Sequence, residues 1–109
     1  MDVKELIEKL GLKVLCGENT DKKINGCYCG DLLSWVMSRA QEGDVWLTVM
    51  GNVNAIAVAV LADVSAIVLT ENSALDSEAL ERAKQRGVNI YSTEDNTYET
   101  AKKIIAAIE

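Results

Sequence analysis

A chain of 109 residues with 49% hydrophobic side chains and no proline, phenylalanine or histidine is sized for one domain around one core of Ala, Val, Ile and Leu. Seventeen acidic residues against eleven basic ones leave a net charge of −6, and the basic side chains occur only as small clusters with acidic neighbours, at Lys22-Lys23, Arg82/Lys84/Arg86 and Lys102-Lys103. That pattern argues against a nucleic-acid partner, which needs a basic stripe to neutralise phosphates.

The first helix is expected over Val3–Leu10. Asp2 is placed as its N-cap with Glu5 three residues on, and Gly11 suits the left-handed position that ends it. Leu12–Cys16 reads as a strand, 17–23 as a polar loop, and Ile24–Gly30 as a second strand. Its alternation sets Asn25, Cys27 and Cys29 on one face and Ile24 and Tyr28 on the other. Asp31 is expected to cap a helix over Leu32–Ala40 that buries Leu32, Leu33, Val36, Met37 and Ala40, leaving Trp35 off the stripe. Val45–Val49 follows as a strand with Trp46 in the core.

Val53–Ala62 is apolar nearly all round, so it must be covered on more than one side, by the sheet and by another element or another subunit. Ala66–Leu69 reads as a buried strand. Asp76 caps the next helix, with Leu75 and Leu80 as a hydrophobic staple and Glu78 and Arg82 spaced to pair, and Gly87 ends it. Val88–Tyr91 is the last strand. A final helix starting near 93–95 is expected to bury Ala101, Ile104, Ile105 and Ile108.

From residue 44 onward, strands alternate with helices. This implies an α/β fold of three α/β/α layers, with a mostly parallel sheet of about five strands and helices on both faces. A parallel sheet collects its strand ends on one edge, and a polar cluster follows each strand here: Gly51-Asn52-Val53-Asn54, Thr70-Glu71-Asn72-Ser73 and Ser92-Thr93-Glu94-Asp95. These clusters should form a rim, the place where open α/β sheets hold ligands. Gly51, Asn52, Asn54, Thr70 and Thr93 are the candidate binding residues. Gly51–Asn54 precedes a helix N-terminus, where free amides favour an anion, although turn and capping chemistry needs the same residue types.

No catalytic residues are assigned. The rim carboxylates Glu71, Glu94 and Asp95 lack a histidine or patterned lysine partner, and no GxGxxG or phosphate-loop motif is present. The three cysteines, Cys16, Cys27 and Cys29, read as reduced structural thiols. Cys27 and Cys29 would share a strand face roughly 7 Å apart, too far for an unstrained disulfide. Without histidine or CxxC spacing, no metal and no cofactor is expected. Trp35 is the candidate for a subunit interface.

The most apolar stretch, 52–69, is interrupted by Asp63, and its helical part is too short to cross a bilayer. The charged N-terminus has no apolar signal region, so a soluble cytoplasmic protein with no membrane contact is expected.

Taken in order along nearly the whole chain, these segments resemble the DRTGG domain family. Asp21-Lys22-Lys23-Ile24-Asn25-Gly26 is similar to the family's Asp-Arg-x-Val/Ile-x-Gly run leading into the second strand. Gly30-Asp31-Leu32-Leu33-Ser34, Glu42-Gly43-Asp44, Ile90-Tyr91-Ser92-Thr93 and Thr97-Tyr98-Glu99-Thr100-Ala101 also match. The chain departs from the pattern at the rim. Thr70-Glu71-Asn72 stands where Thr-Gly-Gly is typical, and Gly51-Asn52-Val53 where Gly-Asp-Arg is frequent. A glycine pair and an arginine that could embrace a phosphate are thereby missing.

The resemblance implies a module like the N-terminal domain of HPr kinase/phosphorylase. In such settings the module is accessory and regulatory, often at a dimer interface, and catalysis belongs to a separate P-loop domain. It therefore implies one non-enzymatic regulatory or protein-interaction domain over residues 1–109, working as a homodimer. The alternative is a sensor of a nucleotide or other phosphorylated small molecule at the rim. Stand-alone relatives beside iron-only hydrogenase genes point to a protein partner in energy metabolism.

Overall fold

The computed structural model describes residues 1–108. Its elements are α1 (Val3–Leu10), β1 (Lys13–Cys16), β2 (Gly26–Cys29), α2 (Leu33–Arg39), β3 (Asp44–Thr48), α3 (Val53–Ala62), β4 (Ala66–Leu69), α4 (Ser77–Arg86), β5 (Ile90–Ser92) and α5 (Thr97–Ile108). The five strands form one sheet in the order β1-β5-β4-β3-β2. Strands β2 to β5 are parallel, and β1 runs antiparallel to β5. The two N-terminal strands, whose directions the sequence leaves open, thus flank the parallel core with opposite senses.

Strand alternation divides the core in two. Val45, Leu47, Val68 and Tyr91 pack against Val3 and Leu6 of α1 and Ile104 of α5. On the other face Trp46, Ile67, Leu69 and Ile90 pack against Val36 of α2, Ile56 and Ala59 of α3, and Ala79 and Ala83 of α4. Every residue of β3 and β4 is buried, as expected of central strands covered by helices on both sides. The register of β1 slips between Val14 and Cys16. That bulge lets the successive residues Leu15 and Cys16 both face the α4 side.

Local chemistry sets the helix ends. Asp2 accepts the Glu5 amide at 2.9 Å, and Gly11 closes α1 at φ +64°. Asn52 accepts the Ala55 amide at 2.9 Å to start α3, and Gly87 ends α4 at φ +67°. Helix α3 is covered by the sheet and flanked by α2 and α4. The chain's own helices therefore supply the cover its sequence demands, and Leu61 is left 70% exposed.

Several sequence expectations are corrected. Asp31 does not cap α2. That helix begins after Leu32 with no side-chain cap, because the Asp31 carboxylate is engaged at the end of β3. Leu32 and Met37 are exposed; Val36 is buried, with Leu33 and Ala40 packed beside it. Ile24 lies outside β2 and packs with Val3 and Leu6, on the face opposite Tyr28. Its amide donates to the Met1 carbonyl, so the N-terminus rather than strand alternation orients it. Asp76 begins α4 without a side-chain hydrogen bond, and the ion pairs among the described residues are Lys102–Glu99 and Lys103–Asp95, not Glu78–Arg82. Helix α5 starts at Thr97 rather than near 93–95, since residues 93–95 are held in the rim loops and Asn96 accepts the Glu99 amide at 2.8 Å. That phase turns Thr100 and Ile104 inward and leaves Ile105 and Ile108 exposed.

Candidate functional site

The carboxyl ends of β3, β4 and β5 lie side by side, and the segments beyond them are stitched together by backbone bonds. Thr70 N donates to Thr48 O at 3.1 Å, and Thr93 N to Leu69 O at 3.0 Å. Asn72 N reaches Thr93 O at 2.9 Å, Glu71 N reaches Asp95 O at 2.8 Å, and Asp76 N reaches Gly51 O at 2.8 Å. Gly51, Asn52, Thr70 and Thr93 therefore lie along one edge, with Asn54 one residue into α3.

The structure gives most of these side chains an internal partner. Thr70 is buried, and its Oγ1 lies 2.8 Å from Thr97 Oγ1. The Thr70 carbonyl accepts the Ser73 hydroxyl at 2.7 Å. Thr93 Oγ1 accepts the Asp95 amide, and Asn52 Oδ1 caps α3. A Cβ on Gly51 would sit 2.0 Å from the Ala74 carbonyl oxygen, so the close approach that needs glycine here is to the chain's own 73–76 segment. Asn54 is exposed to water, and the amides of Val53 and Asn54 have no protein acceptor among the described residues. They form the open part of the helix N-terminus.

Glu71 and Asn72 both take left-handed backbone, at φ +58° and +53°. The amides of both residues are donated to the β5–α5 loop, so they close the rim rather than face outward.

Two cavities flank the sheet at β1. One of about 360 Å³ opens on the rim side and is lined by Lys13, Asn72, Ser73, Leu75 and Ser92. The other, of about 410 Å³, lies at the opposite edge, between Cys16, Glu18, Asn19 and Lys84. Neither is lined by Gly51, Asn52, Asn54, Thr70 or Thr93.

Sequence reasoning missed three rim residues, Asp31, Thr97 and Lys103, and gave Ser73 a place on the rim but no role. Asp31 holds Thr48 and Val49, Ser73 and Thr97 hold Thr70, and the Lys103 ammonium pairs with Asp95. That pairing holds the Lys103 amine above its ordinary value. The run Asn96-x-x-Glu99 is a helix-start signature that would have placed α5 and hence Thr97. Nothing local marks Asp31 as a partner of Thr48.

Elsewhere, Trp35 is 51% exposed, with the Arg39 guanidinium stacked 3.7 Å over its ring. On the opposite layer, Tyr98 and Ile105 stand two turns apart on the outer face of α5, 73% and 55% exposed. Among the described residues no group of three His, Cys, Asp or Glu side chains is placed to hold a metal ion, and no helix is long and apolar enough to cross a membrane.

The DRTGG domain family model matches residues 5–107, and the chain belongs to that family. Its fold is similar to the crystal structure of the CBS and DRTGG domains of the regulatory region of Clostridium perfringens pyrophosphatase, complexed with the activator diadenosine tetraphosphate. The TM-score is 0.77 at 14% identity, over 96% of this chain and 46% of that one. This chain thus spans less than half of the protein it resembles. No curated protein matches it by sequence.

Proposed function

We propose that this DRTGG-family chain is a non-catalytic regulatory module that acts by association, as a homodimer and with a protein partner. The observation that carries this reading is the pair of outward apolar features on a small, well-packed domain: Trp35 on α2, and the Tyr98–Ile105 stripe on α5. Burying a large aromatic side chain is worth about 2 kcal/mol or more, and aromatic anchors are characteristic of interface centres. The similar fold in the regulatory region of a pyrophosphatase is consistent with a regulatory role.

Sedimentation velocity over a micromolar concentration series tests it. The wild-type chain sediments as a dimer, and Trp35→Glu or Ile105→Glu shifts it to monomer, identifying the face used. A monomer at all concentrations, with no partner retained by the immobilised chain, overturns the proposal.

A second reading is a sensor of a nucleotide or other phosphorylated small molecule at the rim, with Gly51, Asn52, Asn54, Thr70 and Thr93 as the binding residues. It is favoured by the unengaged Val53 and Asn54 amides at the start of α3 and by the dinucleotide bound in the pyrophosphatase structure. A ligand present at a hundred times its Kd should stabilise the fold by about 3 kcal/mol. Thermal-shift screening with nucleotides and sugar phosphates would detect that, and Asn54→Asp should remove it. A flat screen ends this reading and leaves the first untouched.

A further inference from the structure

Strands β1 and β5 pair so that Lys13 stands directly across from Ser92. The next pair along is Val14 with Tyr91, and Tyr91 belongs to the core on the α1/α5 side. Lys13 and Ser92 therefore share the opposite face, toward α4. Leu15, turned to that side as well, packs against the same core cluster as Leu75 and Leu80. The β4–α4 segment brings Asn72 and Ser73 to the same place, and these side chains line the cavity of about 360 Å³ on the rim side of β1. Its size lies near the lower end of the range for small-molecule sites, ~300–1,000 Å³.

The polar groups of this cavity are donors without partners. Ser92 is only 9% exposed, yet its hydroxyl makes no hydrogen bond among the described residues. The Tyr91 hydroxyl is the polar side-chain atom there that is sealed off without a partner, so the Ser92 oxygen is open to the cavity that it lines. Burying an unmatched hydroxyl is costly, and an acceptor on a ligand would remove that cost. Lys13 belongs to neither ion pair of the described residues, and Asn72 is exposed. The Ser73 hydroxyl already donates to the Thr70 carbonyl. No acidic side chain lines this cavity, although the chain carries a net charge of −6. The larger cavity at the opposite edge holds both Glu18 and Lys84, so its charges compensate.

We propose that the cavity beside β1 binds a small aliphatic carboxylate. One ammonium, on Lys13, offsets one negative charge, which suits a carboxylate better than a dianionic phosphate. The Ser92 hydroxyl and the Asn72 side-chain amide donate to the carboxylate oxygens. The apolar part of the ligand lies along Leu15, Leu75 and Leu80, in the usual arrangement of an apolar wall with a few convergent polar groups. The site shares no residue with Gly51, Asn52, Asn54, Thr70 and Thr93, so it stands or falls independently of phosphate sensing at the rim.

Amide NMR titration of the 109-residue chain with hexanoate tests the proposal. Shifts at Lys13, Asn72, Ser73 and Ser92 should saturate together by about 10 mM, since a ligand this small binds with a Kd of ~1 mM when its atoms are well used. Acetate keeps the charge without the chain and should bind about tenfold more weakly or worse. Hexylamine reverses the charge and should leave these amides in place. Ser92→Ala should weaken hexanoate about tenfold. Lys13→Gln should weaken it about threefold and remove its sensitivity to salt.

Shifts that do not saturate or that scatter over the surface, equal shifts with hexylamine, or wild-type affinity in Ser92→Ala would each overturn the proposal. The three ligands on the unmutated chain decide it even where a variant folds poorly.

Discussion

Thr48 Oγ1 donates a 2.7 Å hydrogen bond to Asp31 Oδ1, and the same carboxylate oxygen accepts the Val49 amide at 3.0 Å. The β2–α2 turn is thereby fastened to the end of β3, in addition to the 2.9 Å bond from Trp46 Nε1 to the Gly30 carbonyl. Bonds to a charged acceptor contribute about 1.5–3 kcal/mol each when shielded, and less near water. Asp31→Ala should lower the unfolding free energy in urea by about 1–2 kcal/mol. Thr48→Val, which leaves the Val49 bond in place, should cost about half as much.

Two consecutive residues without glycine's freedom hold left-handed backbone at Glu71 and Asn72. The conformation costs an ordinary side chain about 1–2 kcal/mol, and asparagine tolerates it better. Glycine removes that cost while adding about 0.5–1 kcal/mol of unfolded-state entropy. Glu71→Gly should therefore raise stability by about 0.5–1 kcal/mol, and Asn72→Gly by less. Asn72→Val should be destabilising, by more than 1 kcal/mol. Equilibrium denaturation of the three variants separates these outcomes.

Gly51 carries the opposite expectation. Its missing Cβ is the space occupied by the Ala74 carbonyl, so Gly51→Ala must push the 73–76 segment off the rim and weaken the bond from Asp76 N to Gly51 O. A loss of about 2–3 kcal/mol is expected, read as a fall in Tm with the far-ultraviolet spectrum unchanged.

The Tyr91 hydroxyl is buried without a hydrogen-bond partner, and burial pushes its phenol up to about 12. The native phenol therefore keeps its proton where an unfolded tyrosine has lost it, so stability is unaffected below the ordinary tyrosine range near pH 10 and falls as pH rises through 12. Tyr91→Phe removes the unmatched polar group and should be neutral or stabilising by about 1 kcal/mol at pH 7. It should also flatten the alkaline limb of the stability curve, recovering on the order of 2 kcal/mol there. Denaturation at pH 7 and above pH 10 distinguishes both effects from a simple packing change.

Where local pattern and tertiary structure agree, the sequence is a good guide. The bounds of α1, α3 and β4 follow from capping residues and apolar periodicity, and the gathering of Gly51, Asn52, Thr70 and Thr93 on one edge follows from strand–helix alternation. The misplacements have a common physical origin. Asp31 looks like a cap but spends its carboxylate on a threonine 17 residues away, and residues 93–95 look like a helix start but serve the Glu71 and Asn72 amides. Ile105 and Ile108 look like core, yet the phase of α5 is set by Asn96 and by the burial of Thr100 and Ile104. A polar side chain names the bonds it can make, and only the assembled sheet decides which partner takes them.

The antiparallel pairing of β1 with β5 joins residues 13–16 to residues 90–92. Residues 13–16 therefore wait for a partner synthesised about 75 residues later. Until Ile90 to Ser92 clear the ribosome, Leu15 and Cys16 have no sheet to dock on, and the outer margin of β4 stays open. A nascent or truncated chain stopping short of residue 90 would expose that margin to strands of other chains, so the emergence of residues 90–92, more than any single helix, governs when this sheet becomes safe from aggregation.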